Sequence, residues 1–294
     1  MTRYGPIALF VLCLFLAACG NPDGDAAFRD AKHHDTDTIM RLVRSNAESL
    51  RTVAVIDHAR LAAAEGVTMP ASQVLIASDP TVNTAILKTT PRAGIDLPVK
   101  VLAYAPDGRA AVATVTSGFL AARHGAGDER ALEAFDAAVD RTIQGVDAGL
   151  LTRVDGTGVT RDQGIITLTS AYAFDETVER LSKVVRAQGD TVWFGEIDYT
   201  AEAASQGVTL PPATLLLFGG PKPGGVAMAD FPRLGLDAFC QKLLVLQEGD
   251  TVLVLFNSIV ALAELHYGRV AKPHAQLDTR LTKTFQGAIA ADGK

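Results

Sequence analysis

Cysteine is scarce in this chain: Cys13, Cys19 and Cys240 are all there is among 294 residues. Cys13 and Cys19 fall in the leader described below, which leaves Cys240 without a partner and excludes a disulfide framework. Its apolar neighbours make Cys240 a buried, inert thiol rather than a nucleophile, which needs an accessible and electropositive setting. Positive charge is not in excess either. Against 27 basic side chains stand 33 acidic ones, for a net charge of −6, and a nucleic-acid partner is excluded on that balance, because phosphate contacts require clustered Lys and Arg. No apolar run reaches the roughly twenty residues of a membrane-spanning helix. The Gly-x-Ser-x-Gly elbow, His-Glu-x-x-His, Cys-x-x-Cys and Gly-x-Gly-x-x-Gly are also absent, which removes the usual grounds for a hydrolase, metalloprotease, redox enzyme or dehydrogenase. No cofactor is implied.

What is present begins with a leader. Arg3 precedes the apolar run Ile7 to Leu16 and the small residues Ala17 and Ala18, the pattern of a signal peptide over residues 1–18. Leu16-Ala17-Ala18-Cys19 resembles the bacterial lipobox, so cleavage before Cys19 and lipidation of its thiol are expected, with two or three acyl chains holding the protein on a membrane. Gly20 stands where an aspartate would resemble an inner-membrane retention signal, which favours the periplasmic face of the outer membrane. Residues 19–34 are polar and read as a tether. Removal of residues 1–18, which hold Arg3 and no acid, takes the net charge to −7. A hydrophobic fraction of 48% supplies a core for about two domains.

Two domains are indeed written into the chain as a repeat. Ile56-Asp57-His58-Ala59 through Gly66-Val67-Thr68-Met69-Pro70 matches Ile197-Asp198-Tyr199-Thr200 through Gly207-Val208-Thr209-Leu210-Pro211 at an offset of 141. The same offset pairs Pro80 with Pro221, Pro91-Arg92 with Pro232-Arg233, Gly94 with Gly235, Asp96 with Asp237, and Gly108 with Gly249. Beyond these, an offset of 142 pairs His124 with His266 and Gln144-Gly145 with Gln286-Gly287. The boundaries expected are 35–147 and 164–289, with a linker over 148–163.

Each copy opens on an amphipathic helix, through Ile39, Leu42 and Val43 or Val178, Leu181 and Val185. Strands follow at Thr52 to Ile56 and Gln73 to Ala77, and at Val192 to Ile197 and Thr214 to Phe218. A hairpin comes next, Val99 to Ala105 with Ala110 to Val115, and Gln241 to Leu246 with Thr251 to Phe256. Closing helices carry Leu132, Phe135 and Val139 on one face, or Leu277, Leu281 and Phe285. Copy two has a leading strand at Ile165 to Thr169; in copy one that edge is missing or supplied by Leu150 to Val154. The fold class is therefore α+β, two tandem repeats, each an antiparallel sheet with helices on one face and the other face free to bind or to pack on the sister domain.

Several segments resemble the DUF302 family: Ile56-Asp57-His58-Ala59, Ile95-Asp96-Leu97-Pro98-Val99-Lys100 and Leu120-Ala121-Ala122-Arg123-His124-Gly125 in copy one, and Phe218 to Gly224 and Phe256-Asn257-Ser258 in copy two. The resemblance spans about residues 35–147 and 164–289. It implies a curved, TATA-binding-protein-like sheet and brings no established reaction. Copy one keeps the histidine and the Pro-x-Lys but has Ser78-Asp79-Pro80-Thr81 for the Gly-x-Pro-Lys loop. Copy two keeps that loop but has Tyr199 for the histidine and, at the offset of 141, Phe239-Cys240-Gln241 for Pro-x-Lys. Neither half holds a full set, which points to one composite site or one site beside a structural sister.

Asp57, His58, Lys100 and His124 form the main candidate cluster, with Asp198, Lys222, Asn257 and His266 from copy two. Histidine beside carboxylate and lysine suits acid–base chemistry or an anionic ligand. Asp57 and Asp198 are equally placed to cap the Ala-rich helical turns that follow them. Lys222, within Gly219 to Gly225, either offers an ammonium and backbone N–H groups to an anion or sits in a plain strand-to-helix connection. His124 and His266 also read as residues favoured at a helix C-terminus. His33-His34-Asp35 and Asp37 are a weak metal motif, better explained as tether and cap, and no metal is assigned. The function expected is non-catalytic binding of a small, anionic ligand by an envelope lipoprotein. The alternatives are an enzyme using His58 and His124 as acid and base, or an interaction scaffold.

Overall fold

In the computed structural model, residues 35–291 are described. The signal peptide, Cys19, the tether, His33 and His34 lie outside the described residues. Copy one opens on α1 (residues 35–46), followed by β1 (Arg51–Asp57), α2 (His58–Ala64), β2 (Ser72–Ser78) and α3 (Pro80–Leu87). A 3-10 turn, Pro91–Ile95, leads to β3 (Val99–Tyr104), β4 (Ala111–Val115), α4 (Ser117–His124), α5 (Glu129–Thr142) and β5 (Leu151–Val154). Copy two runs β6 (Ile165–Thr169), α6 (Phe174–Arg186), β7 (Val192–Asp198), α7 (Tyr199–Ala204), β8 (Ala213–Gly219) and α8 (Pro221–Met228). It closes with the 3-10 turn Pro232–Leu236, the counterpart of Pro91–Ile95, then β9 (Gln241–Glu248), β10 (Thr251–Asn257), α9 (Ile259–Tyr267) and α10 (Lys272–Ile289). The class is α+β, with one five-stranded sheet per repeat, ordered β1-β2-β3-β4-β5 and β6-β10-β9-β8-β7.

The sheets differ at one edge. β6 joins β10 antiparallel, as a leading strand should. In copy one the same position beside β4 is taken by β5, which pairs parallel, Val112 opposite Leu151. A parallel pair needs a long crossover, and α4 and α5 provide it. The linker thus supplies the missing edge, and the first sheet is mixed rather than wholly antiparallel.

Strand periodicity divides each sheet into two faces. Leu216, Leu243, Val245, Val254 and Phe256 pack against Leu181 and Val185 of α6 and Phe285 and Ile289 of α10. The alternate residues of the same strands, Leu215, Leu217, Leu244 and Leu246, join one continuous core with Val74, Ile76 and Leu102 of the other repeat. The face left free in the sequence reading is thus covered by the sister domain. The covering pieces are the two 3-10 turns: Pro91–Ile95 lies on β8, β9 and β10, and Pro232–Leu236 lies on β2, β3 and β4.

That exchange requires a close approach at the paired glycines. A Cβ on Gly235 would stand 2.8 Å from Ser72 Oγ and 3.0 Å from both His58 Cε1 and Leu102 Cδ1; one on Gly94 would stand 3.1 Å from Leu244 Cδ1 and 3.2 Å from Tyr199 Cε2. Gly235→Ala is expected to lower stability by about 1–3 kcal/mol, the usual cost of overfilling a packed core, and Gly94→Ala by less. Urea midpoints of the two variants check both the sign and the order.

Candidate functional site

The interior between the two sheets is ionic at its centre. Asp96 and Asp237 sit just past the two 3-10 turns and are fully buried. Lys100 and Lys242 are the second residues of β3 and β9 and are buried too. Arg123 and His124 end α4, and His266 lies near the end of α9, where the helix dipole favours a cation.

Asp96 Oδ2 accepts from Arg123 Nη1 at 2.7 Å and from His124 Nε2 at 2.6 Å. Asp96 Oδ1 has no hydrogen-bond partner and stands 3.9 Å from Lys100 Nζ and 3.9 Å from Lys242 Nζ. Both ammonium groups likewise lack partners. Across the pseudo-two-fold, His266 Nε2 donates to Asp237 at 3.0 Å, and Asn257 Nδ2 donates to the Asp237 carbonyl at 3.2 Å. Arg123 ties the halves together, donating through Nη2 to Asn257 Oδ1 at 2.8 Å and through Nε to the linker carbonyl of Gln163 at 2.9 Å.

These contacts set the charges. Burial alone would raise the Asp96 carboxyl, but Arg123, His124 and Lys100 hold it well below the usual carboxylate range. Asp237 is held down in the same way, against its burial, by His266, Lys100 and Lys242. Burial first, and the Lys100 charge second, bring the Lys242 ammonium from its ordinary 10.5 to about 7, against the pull of Asp96 and Asp237. Burial pushes the Cys240 thiol up to about 12, so it is inert at neutral pH.

Of the residues singled out in the sequence, Lys100, His124, Asn257 and His266 meet here. Asp57 and Asp198 do not: they cap α2 and α7, accepting from the backbone N–H of Arg60 at 2.9 Å and of Ala201 at 2.8 Å. Asp57 also pairs with the Arg60 guanidinium, as does Asp37. Lys222 is exposed in the first turn of α8, within a plain strand-to-helix connection. His58 is an inter-repeat clamp, its Nε2 donating to the Phe239 carbonyl at 3.0 Å while Ser72 lies at 3.3 Å from Nδ1. Tyr199 does the same in reverse, its hydroxyl donating to the Gly94 carbonyl at 2.9 Å.

One correction concerns the repeat itself. Strand pairing sets Gln73 opposite Ala103 and Thr214 opposite Val245, so β3 and β9 are related by 142, not 141. The extra residue of copy two falls between Asp237 and β9. The counterpart of Pro98-Val99-Lys100 is therefore Cys240-Gln241-Lys242, and the lysine is kept in both halves. The sequence reading missed Lys242 for this reason. It also passed over Asp96, Asp237 and Arg123, although the aspartates recur in both copies.

A pair of α+β repeats that share a buried aspartate, lysine and histidine set defines the class of protein. The model of the domain of unknown function DUF302 matches residues 30–145 and again 166–287, and the chain belongs to that family, with two copies. A solved structure of an uncharacterized conserved DUF302 protein from Bacillus stearothermophilus is similar at 17% identity and a TM-score of 0.36, covering 43% of this chain and 95% of that one. Among curated proteins, "Fluoride-specific ion channel FluC 1" of Brucella suis biovar 1 is 33% identical over 105 residues, 36% of this chain and 41% of the relative. The Brucella abortus biovar 1 protein of the same name matches equally over 38% of its length. The chain thus spans about two-fifths of these relatives.

Arg123→Met removes the main partner of a buried carboxylate and is expected to cost about 3–5 kcal/mol, read as a fall in urea stability. His58 gives a separate signature. Burial brings its pKa from 6.5 to about 4, so the unfolded chain binds the proton first as pH falls. Stability from this group is whole above the unfolded pKa and drains between about pH 6.5 and 4, by about 3 kcal/mol in all. In His58→Gln that part of the pH–stability curve should flatten; an unchanged curve would assign the loss to other groups.

Proposed function

We propose that the protein is a non-catalytic binder of one small ligand per chain, lipid-anchored at Cys19 in the bacterial cell envelope, on the periplasmic face of the outer membrane. The observation that carries the reading is the convergence of both repeats on a single point: Lys100 and Lys242, from different halves, stand at equal distance from one oxygen of Asp96, and neither ammonium makes a hydrogen bond. Two separate sites would each have kept their own lysine and aspartate together. The acid–base alternative draws no support from His58, whose ring nitrogens are engaged with Phe239 and Ser72 away from His124. A scaffold working through the free sheet face loses its surface, which the sister domain covers. That curated relatives are named fluoride-specific ion channels supports an inorganic ion as the first ligand to try.

Native mass spectra of the full chain, purified without chelators and then with sodium fluoride added, test the proposal. One bound species per chain is expected, lost in Lys100→Met and kept in His58→Gln. Two equivalent sites, or binding indifferent to Lys100, would overturn it.

A further inference from the structure

Three cationic side chains, Lys100, Arg123 and Lys242, share the inter-repeat core with two carboxylates, Asp96 and Asp237. Three cations against two carboxylates leave one positive charge over, in surroundings where an unpaired ion is costly to bury. Arg123 does not hold the excess, because each of its nitrogens Nε, Nη1 and Nη2 donates to an oxygen. The lysines do. Each Nζ is unpartnered, and 3.9 Å to Asp96 Oδ1 is beyond hydrogen-bond reach.

We infer that the Lys100 and Lys242 ammonium groups together bind one small monovalent anion along with a proton, an inference that rests on the shared-site reading above and names its ligand class. An anion supplies the acceptor that both ammonium groups lack and cancels the excess charge. A divalent anion would overshoot it. Bulk is restricted as well, since the surrounding Asp96, Lys100, Arg123 and Lys242 are at most 2% exposed, so the fitting ligands are of halide or formate size.

The proton follows from the same count. Without an anion, the core sheds its excess by releasing a proton from Lys242, whose ammonium burial and Lys100 have brought to about 7. When the anion enters, the neutral amine takes a proton from water, and the ammonium and anion form a neutral pair. The groups facing Lys242 are Lys100 from β3 and Asp96 and Asp237 past the 3-10 turns, and His266 from α9 bears on it through Asp237. Arg123 and His124 of α4 bear on it through Asp96, and the Cys240 thiol lies two residues before it. Arg233 reaches the same helix, its guanidinium donating to the His266 carbonyl. Above neutrality each bound anion thus carries in one proton, and affinity falls about tenfold per pH unit, whereas below neutrality affinity is flat.

Calorimetric titration of the full chain with sodium chloride and sodium formate, against sodium gluconate at equal ionic strength, tests this. Buffers of unlike protonation enthalpy count the protons. Expected are one anion per chain, nearly one proton taken up at about pH 8.5 and little at about pH 6, with no heat from gluconate. Lys242→Met removes the excess charge at similar volume, so it should fold with an equal or higher Tm and show no anion-dependent shift. Identical heats in all three salts at about pH 6 would leave the two ammonium groups without an anion and overturn the inference. Anion binding without proton uptake would overturn the coupling, and anion binding that persists in folded Lys242→Met would overturn the site. Should Lys242→Met fail to fold, the wild-type proton count decides alone. A neutral or cationic species that depends on Lys100 in the mass spectra would leave the shared-site reading standing and sink this one.

Discussion

The buried carboxylate of Asp96 is the contact on which the arrangement of the two repeats depends. A carboxylate with no exposure is tolerable only when charge and hydrogen bonds surround it, and Asp96 draws these from both halves: Arg123 and His124 from its own repeat, Lys242 from the other. Each donor has its own demands. Arg123 must also be satisfied, which fixes Asn257 at the end of β10 and Gln163 in the linker. The pseudo-two-fold, the linker path and the docking of the 3-10 turns are therefore set together, and the core between the sheets has a polar centre inside an apolar rim. Such a centre adds little net stability compared with apolar packing. Its contribution is to make any other docking leave charges unpaired.

The repeat, the order of elements and the class of fold were legible because duplication and periodicity are local signals. Alternating strands, the capping aspartates and the hairpin turns each declare themselves within a few residues. The edge of copy one was half legible: Leu150 to Val154 was one of two alternatives for it, but its parallel direction depends on α4 and α5 carrying the chain back, which no local pattern states. Lys242 was illegible for a sharper reason. The added residue lies between Asp237 and β9, where the chain turns and no hydrophobic period marks the register, so the downstream strand slid by one and set Lys100 against Gln241. In a strand a slip of one residue exchanges the faces; the slip therefore moved the one residue that mattered out of view.

The exchange of His58 for Tyr199 reads differently once the contacts are known. As a departure from a family pattern it suggested loss of a functional side chain in copy two. Both residues, however, open a short helix and reach a backbone carbonyl of the opposite repeat, at Phe239 and Gly94. What the position requires is a ring with a donor at its tip, set against a glycine with no Cβ in the way. Histidine and tyrosine both meet that requirement. Burial keeps His58 neutral at ordinary pH, so neither adds charge to the interface.

Asymmetry is concentrated at the centre instead. At the offset of 142, Arg123 corresponds to Leu265 and Asn257 to Val115, so Asp96 has an arginine where Asp237 has an amide-bound carbonyl and a single histidine. A strictly two-fold core would place two like sets of ions face to face and give each the same claim on a ligand. With Arg123 in one half and Asn257 in the other, the balance of charge lies toward Asp96, and both lysines border the same oxygen. The duplicated scaffold thereby has one electrostatic focus rather than two. That also accounts for the chemistry being divided across the repeats: neither repeat alone assembles Asp96, Arg123 and both lysines, so a single copy of this sequence would lack the focus however well it folded.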